Sequence, residues 1–346
     1  MSVKPVKNCR KCSVILFFLL FFQSLAAQNP FSGVEAILKQ HQKSMGKEVV
    51  VMVNKDGKNL YTHQSPAFNA KMQAPIENTS KWLTAAVVMI FVDEGKITLD
   101  DPVSKYIPLF SNYFKGYITI RHCLSHTSGI EAEAAGVLRL AQKSKFENLE
   151  EEVKNYVMKR EIVNNPAEAF HYSQVGPNIA ARVIEIVSRK TFDRVALEKL
   201  FRPAGMRGTT FYSESGTFNP SYGAKSTAQD LMNFMTMIMN KGMFNGKRIL
   251  SEVSVAEMQK AQFPGIPVKS TLNICTGMPY GLGNWLQETD DAGNATVVGA
   301  PGLNGTWPWI DLKKGYAVVV FPEKDVPDMK RTIYDAIRTE IDAAIK

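Results

Sequence analysis

Residues 76–102 read IENTSKWLTAAVVMIFVDEGKITLDDP: a helix start, a long apolar helix and a turn, around which the rest of the chain can be placed. Leu83, Val87, Ile90 and Phe91 share a helical face, and Val88 and Met89 widen the apolar surface, so the helix over 79–93 is expected to be nearly all buried. Ala85 and Ala86 permit close neighbours. Gly95 stops the helix by taking a left-handed conformation. At the other end Asn78 suits the N-cap, where its side chain can accept from the free amides of the first turn. Lys81 follows three residues later, a spacing that puts both side chains on one face.

Upstream, Val34, Ile37, Leu38 and His41 recur at helical spacing and predict a surface helix within 31–45. Two β-like runs, 49–53 and 60–63, flank Asn54-Lys55-Asp56-Gly57, whose Asp-Gly pair signals a hairpin. Ser44 and Lys47 repeat the three-residue spacing, but Gly46 interrupts any helix there and no apolar helix follows.

Downstream, residues 146–160 read as a charged amphipathic helix, and further helices are expected over 175–188 and 193–200. Ser226 or Thr227 caps the next helix, which runs to about Asn240. From Tyr280 the chain turns β-rich, with short runs at 280–286, 296–299, 306–311 and 316–321 bounded by glycines, an antiparallel meander closed by a helix over 328–345. Trp307 and Trp309 point to one sheet face and are read as covering a core rather than a ligand. His122 and His126 lie four apart with no acidic partner of the HExxH type, so they are read as structural, not as metal ligands.

The stretch 76–102 resembles the nucleophile helix of the serine β-lactamase and penicillin-binding-protein superfamily, most closely the branch of class C β-lactamases, their esterase relatives and D-aminopeptidases. In that family a Ser opens the helix and a Lys follows three residues later. The register fixed by Lys81 puts Asn78 where the serine would stand. Tyr172-Ser173-Gln174 resembles the second motif, a Tyr followed two residues on by an amide, usually Asn. That resemblance implies that Tyr172 is the general acid or base beside the nucleophile, its phenol pKa depressed by the Lys81 cation. Gln174 keeps the amide on a longer arm. Ala300-Pro301-Gly302 occupies the place of the third motif, commonly Lys-Thr-Gly or His-x-Gly; Gly302 keeps the close backbone approach, while Ala300 replaces the cation or imidazole. Residues 103–108, 118–130 and 223–231 are similar to further stretches of the family, so the likeness covers nearly the whole mature chain. It implies a β-lactamase/transpeptidase-like α/β sandwich, with a mostly antiparallel sheet from both chain ends and an inserted helical subdomain at about 96–222. It implies no cofactor and no metal.

An acyl-enzyme needs an alkoxide equivalent at the helix start, a Lys-Tyr pair to take its proton, and backbone amides to hold the oxyanion. A carboxamide is a poor nucleophile with no readily removed proton, so Asn78 cannot form the usual ester. Ser80 lies roughly 200° around the helix from position 78 and Thr79 about 100°, so neither shares the face of Lys81. The expected function is that of an exported pseudoenzyme binding a small-molecule or peptide ligand, or a protein partner, in the cleft. The alternative is an active hydrolase or acyltransferase, either through unorthodox chemistry at Asn78 or as an engineered Ser→Asn variant of an active parent.

The first 27 residues read as a secretory signal: Lys4, Lys7, Arg10 and Lys11, then an apolar run at 14–22, then Ser24-Leu25-Ala26-Ala27. That run is far shorter than the ~20 residues a bilayer needs, and no Cys stands at the cleavage point, so a soluble periplasmic or secreted protein without a stable anchor is expected. Cleavage would leave 319 residues as one catalytic-sized unit, 28–346. Removing the four leader cations lowers the net charge from +8 to +4, and no basic block interleaved with aromatics points to nucleic acid. Cys123 and Cys275 survive processing; their spacing neither requires nor excludes a disulfide.

Overall fold

Asp56 and Gly57 both take positive φ, 50° and 72°, the conformation a tight two-residue hairpin turn requires. They join strand β1 (Val49–Lys55) to β2 (Lys58–His63). The C-terminal meander supplies β3 (Trp285–Thr289), β4 (Ala295–Gly299), β5 (Trp307–Asp311) and β6 (Tyr316–Pro322). All six form one antiparallel sheet in the order β2-β1-β6-β5-β4-β3, so the first hairpin adds directly to the last strand. The computed structural model describes residues 1–2, 29–132, 146–211, 219–326 and 329–345; the leader read over 1–27 lies almost entirely outside them.

Both faces of the sheet are covered, and side chains alternate between two cores. Val49, Val51 and Val53, with Val318, Val320, Trp307 and Trp309, pack toward helices α1 (Ser32–Gln40) and, at the far end of the chain, Arg331–Ala344. Trp307 stacks on Tyr334 with ring centroids 4.6 Å apart, so the two tryptophans do cover a core. Val50, Met52, Val319 and Phe321 point the other way, into the larger core.

That larger core is built around α2 (Ser80–Asp93), buried along its length from Ser80 to Phe91. Its all-round burial follows from having neighbours on every side: the sheet layer, the helix Ala228–Met239 and the helical region downstream. In that region α3 (Ile120–Leu124) packs against α4 (Val175–Ser188), where a Cβ on Gly176 would fall 2.0 Å from the Cys123 carbonyl oxygen. Leu149–Lys159 and Phe192–Ala196 complete the layer near the expected positions.

Two expectations need correction, and a third is decided between its alternatives. Residues 280–284 are not strand; they form a loop that lays Gly283 against α2, and the strand starts at Trp285. Of the two caps expected for the helix at 228–239, Ser226 or Thr227, it is Thr227 that serves, accepting from the Asp230 N–H at 3.0 Å. Asn78 is not the N-cap of α2: a 3-10 turn, Glu77–Thr79, precedes the helix and Thr79 takes the cap position.

Candidate active site

The start of α2 is clamped onto the end of β4. Thr79 Oγ1 donates to the Ala300 carbonyl at 2.6 Å, and Asn304 Nδ2 donates to the Pro75 carbonyl at 2.6 Å. Gly302 sits inside this clamp, where a Cβ would meet the Ile76 carbonyl oxygen at 2.6 Å and Asn304 Oδ1 at 2.7 Å. Only glycine fits there without moving backbone. Ala300 contributes its carbonyl and brings no cation or imidazole. Glu77, buried in the same segment, holds φ at 47°, a strained value for a non-glycine residue beside the candidate site.

Freed from capping, the Asn78 side chain turns to Lys81, whose Nζ donates to Asn78 Oδ1 at 2.7 Å. The bond from Lys81 takes the oxygen that a cap would offer to the helix amides. Lys81 Nζ also donates to the Ser221 carbonyl at 3.0 Å and lies 4.8 Å from the centre of the Tyr172 ring. Both neighbouring hydroxyls are engaged by backbone: that of Thr79 donates to Ala300, and Ser80 Oγ accepts from the Ala224 N–H at 3.1 Å.

The loop at 219–221 binds the second motif to this pair. Ser221 Oγ donates to Asn219 Oδ1 at 2.8 Å, and Asn219 Nδ2 donates to Gln174 Oε1 at 2.6 Å. The longer arm of Gln174 thus reaches Asn219. These bonds fix which way both amides point, because each oxygen is identified by its donor. They leave Asn78 Nδ2 and Gln174 Nε2 buried with no hydrogen-bond partner among the described residues.

Tyr172 lies in an aromatic layer with His126, Tyr280 and Trp285, its ring 4.5, 5.8 and 5.1 Å from theirs. The expected depression of its pKa is wrong in sign. Burial raises the phenol well above its ordinary value, and Lys81 faces the ring rather than stabilising a phenolate. His126 is held neutral by burial, with the Lys81 charge acting in the same direction. The Ser173 N–H donates to His126 Nδ1 at 3.3 Å, so the ring proton sits on Nε2, 3.2 Å from the Tyr280 hydroxyl. Read from sequence only as structural, His126 proves to be part of the candidate site. Asn219, Ser221, Tyr280 and Trp285, which join it there, were not singled out as site residues; the Asn-Pro step at 219–220 and the Tyr-Gly-Leu-Gly run at 280–283 were the available signals.

Asn78, Lys81, Tyr172 and Gln174 therefore come together, and they do so out of solvent, at 2, 2, 3 and 3% exposure. Cys123 and Cys275 are both buried free thiols, each pushed up in pKa by that burial. Among the described residues no group of three or more His, Cys, Asp or Glu is placed to hold a metal.

The family model for Beta-lactamase matches residues 34–341. The chain belongs to the beta-lactamase family. Within the wider beta-lactamase and penicillin-binding-protein-like superfamily of serine hydrolases, it resembles protein flp of Staphylococcus aureus (strain MW2), 27% identical over 139 residues, 39% of this chain and 27% of that protein. Beta-lactamase-like protein 2 of Dictyostelium discoideum is 24% identical over 262 residues, 62% of this chain and 46% of its own length. The chain thus spans less than half the length of these curated relatives. A candidate beta-lactamase from Bacteroides dorei DSM 17855 superposes with a TM-score of 0.80 at 24% identity, covering 89% of this chain and 98% of that one. EstCE1, described as a hydrolase with promiscuous acyltransferase activity, gives 0.72 at 20% identity over 93% and 100% of the two chains. The octameric penicillin-binding protein homologue of Pyrococcus abyssi gives 0.70 at 20%, over 89% and 76%. These likenesses establish the β-lactamase/transpeptidase-like fold of this family member.

Proposed function

We propose that this member of the beta-lactamase family is an exported, non-acylating protein of the class C-related branch that binds a small-molecule or peptide ligand. One observation carries the reading: Lys81 Nζ donates to the carboxamide of Asn78, the residue that the likeness to the family's nucleophile helix sets in the serine's place, and both adjacent hydroxyls are bonded to backbone groups. No atom at the helix start combines nucleophilicity with access to a base. The unpaired amide donors of Asn78 and Gln174 support binding, because a ligand carbonyl or carboxylate would satisfy donors whose burial alone costs about 1–3 kcal/mol each. Export rests on the leader-like composition of residues 1–27.

The alternative, an active hydrolase or acyltransferase, draws on family membership and on the likeness to EstCE1. It requires a nucleophile that Thr79 and Ser80 are not disposed to supply. The two readings part in a steady-state assay with nitrocefin and p-nitrophenyl acetate. Hydrolysis by the native protein is expected at the buffer rate; a protein-dependent rate that saturates with substrate would establish the hydrolase.

A further inference from the structure

Phe170, Tyr280 and Trp285, which pack around Tyr172, also form one wall of a cavity of about 520 Å³. That is the size range of sites for drug-sized ligands, roughly 300–1,000 Å³. Ile266, Cys275 and Met278 continue the wall, and among the described residues no Asp, Glu, Lys, Arg or His lines the cavity. Most of its polar side chains are bonded within the protein. Ser125 Oγ donates to the Arg121 carbonyl at 2.7 Å and pairs with Thr127 Oγ1 at 2.9 Å. Gln262 Oε1 accepts from Arg121 at 2.8 Å, its Nε2 donates to the Glu257 carbonyl at 3.1 Å, and Thr276 Oγ1 donates to the Asn273 carbonyl at 2.9 Å. The Tyr280 hydroxyl faces His126. A space of this size whose polar groups are mostly spent offers water few partners, and an ion no opposite charge. Its rim includes Val268, 61% exposed, with its backbone fixed by pairing to Phe170.

We propose that this cavity is a binding site for an uncharged, predominantly apolar small molecule, such as an aromatic ring system, seated against Trp285 one ring's thickness from Tyr172. The proposal rests on the function above only in treating the chain as a binder. Ester turnover by the native protein would sink that reading and leave this one standing.

The test uses two probes that share a ring system and differ in charge: N-phenyl-1-naphthylamine, which is neutral, and 1-anilinonaphthalene-8-sulfonate, an anion. Titrated into the full-length protein, the neutral probe should brighten saturably with one site per chain, and bind at least about tenfold tighter than the sulfonate, which has no partner in the cavity. Val268→Trp, which narrows the rim from an exposed position, should weaken the neutral probe by about tenfold or more. Val268→Asp, which adds charge without bulk, should act in the same direction, with circular dichroism verifying that each variant is folded. Equal affinity for the two probes, no saturable binding of the neutral one, or unchanged binding in both folded variants would overturn the proposal.

Discussion

Asn78→Ser is expected to give a protein that is slowly acylated by p-nitrophenyl acetate, where the native protein is expected to show only the buffer rate. The Lys81 Nζ already lies 2.7 Å from the side-chain oxygen at position 78, and a serine hydroxyl would stand one bond closer to the backbone, within reach of the same nitrogen, which acts as the base in its unprotonated form. A positioned general base contributes about 10²–10⁴-fold, and the low end is expected here, about 10² over the parent. Two features hold it down. Tyr172 has its pKa raised by burial and presents its ring to Lys81, so it adds little as a second base. The pair is also shut away from solvent, which favours a small activated ester over bulky substrates. Burst-phase kinetics with the variant would read the acylation step directly. A silent revertant with native circular dichroism would mean that the missing hydroxyl is not the only break, and would move attention to Gln174 and Ala300.

Lys81→Ala is expected to destabilise the fold by about 3–5 kcal/mol, while Lys81→Met should cost only about 1–2. Alanine removes the buried stem and leaves a cavity in the large core, and it also strips the donor from Asn78 Oδ1 and the Ser221 carbonyl. Methionine restores most of the volume and forfeits only the hydrogen bonds. The difference would appear as a shift in the urea midpoint at constant slope. Equal losses for the two variants would show that the ammonium, rather than the packing of its stem, dominates. A gain for methionine would mean that desolvating the cation costs more than its partners return.

The fold was legible wherever a pattern was local. The apolar run after Ser80, the Asp-Gly turn at 56–57 and the alternating strands after Trp285 each carry their own periodicity, and each element formed. Gly302 was legible as a close-approach position because a glycine is the signature of space taken by something else. The candidate site was read less well, because its chemistry depends on partners distant in sequence. Asn78 looked like a cap when only its own helix was in view; folded, it has a stronger partner in an ammonium that other elements immobilise. Tyr172 looked activated because a lysine was expected at its hydroxyl. Its burial beside Tyr280 and Trp285, residues more than a hundred positions away, reverses the sign, and no local pattern encodes burial of that kind. His126 was dismissed along with His122 for the same reason. The latter does serve a local capping box, whereas the former faces the aromatic layer.

The proposed inability to form an acyl-enzyme is tested most directly by intact mass. The native protein would be incubated with an excess of a fluorophosphonate and, separately, of benzylpenicillin, then weighed with and without prior denaturation. An unchanged mass is expected in every case, because Asn78 offers no nucleophile and the hydroxyls of Thr79 and Ser80 are held by Ala300 and Ala224. A stoichiometric adduct formed only by the folded protein and mapped within residues 76–81 would contradict it.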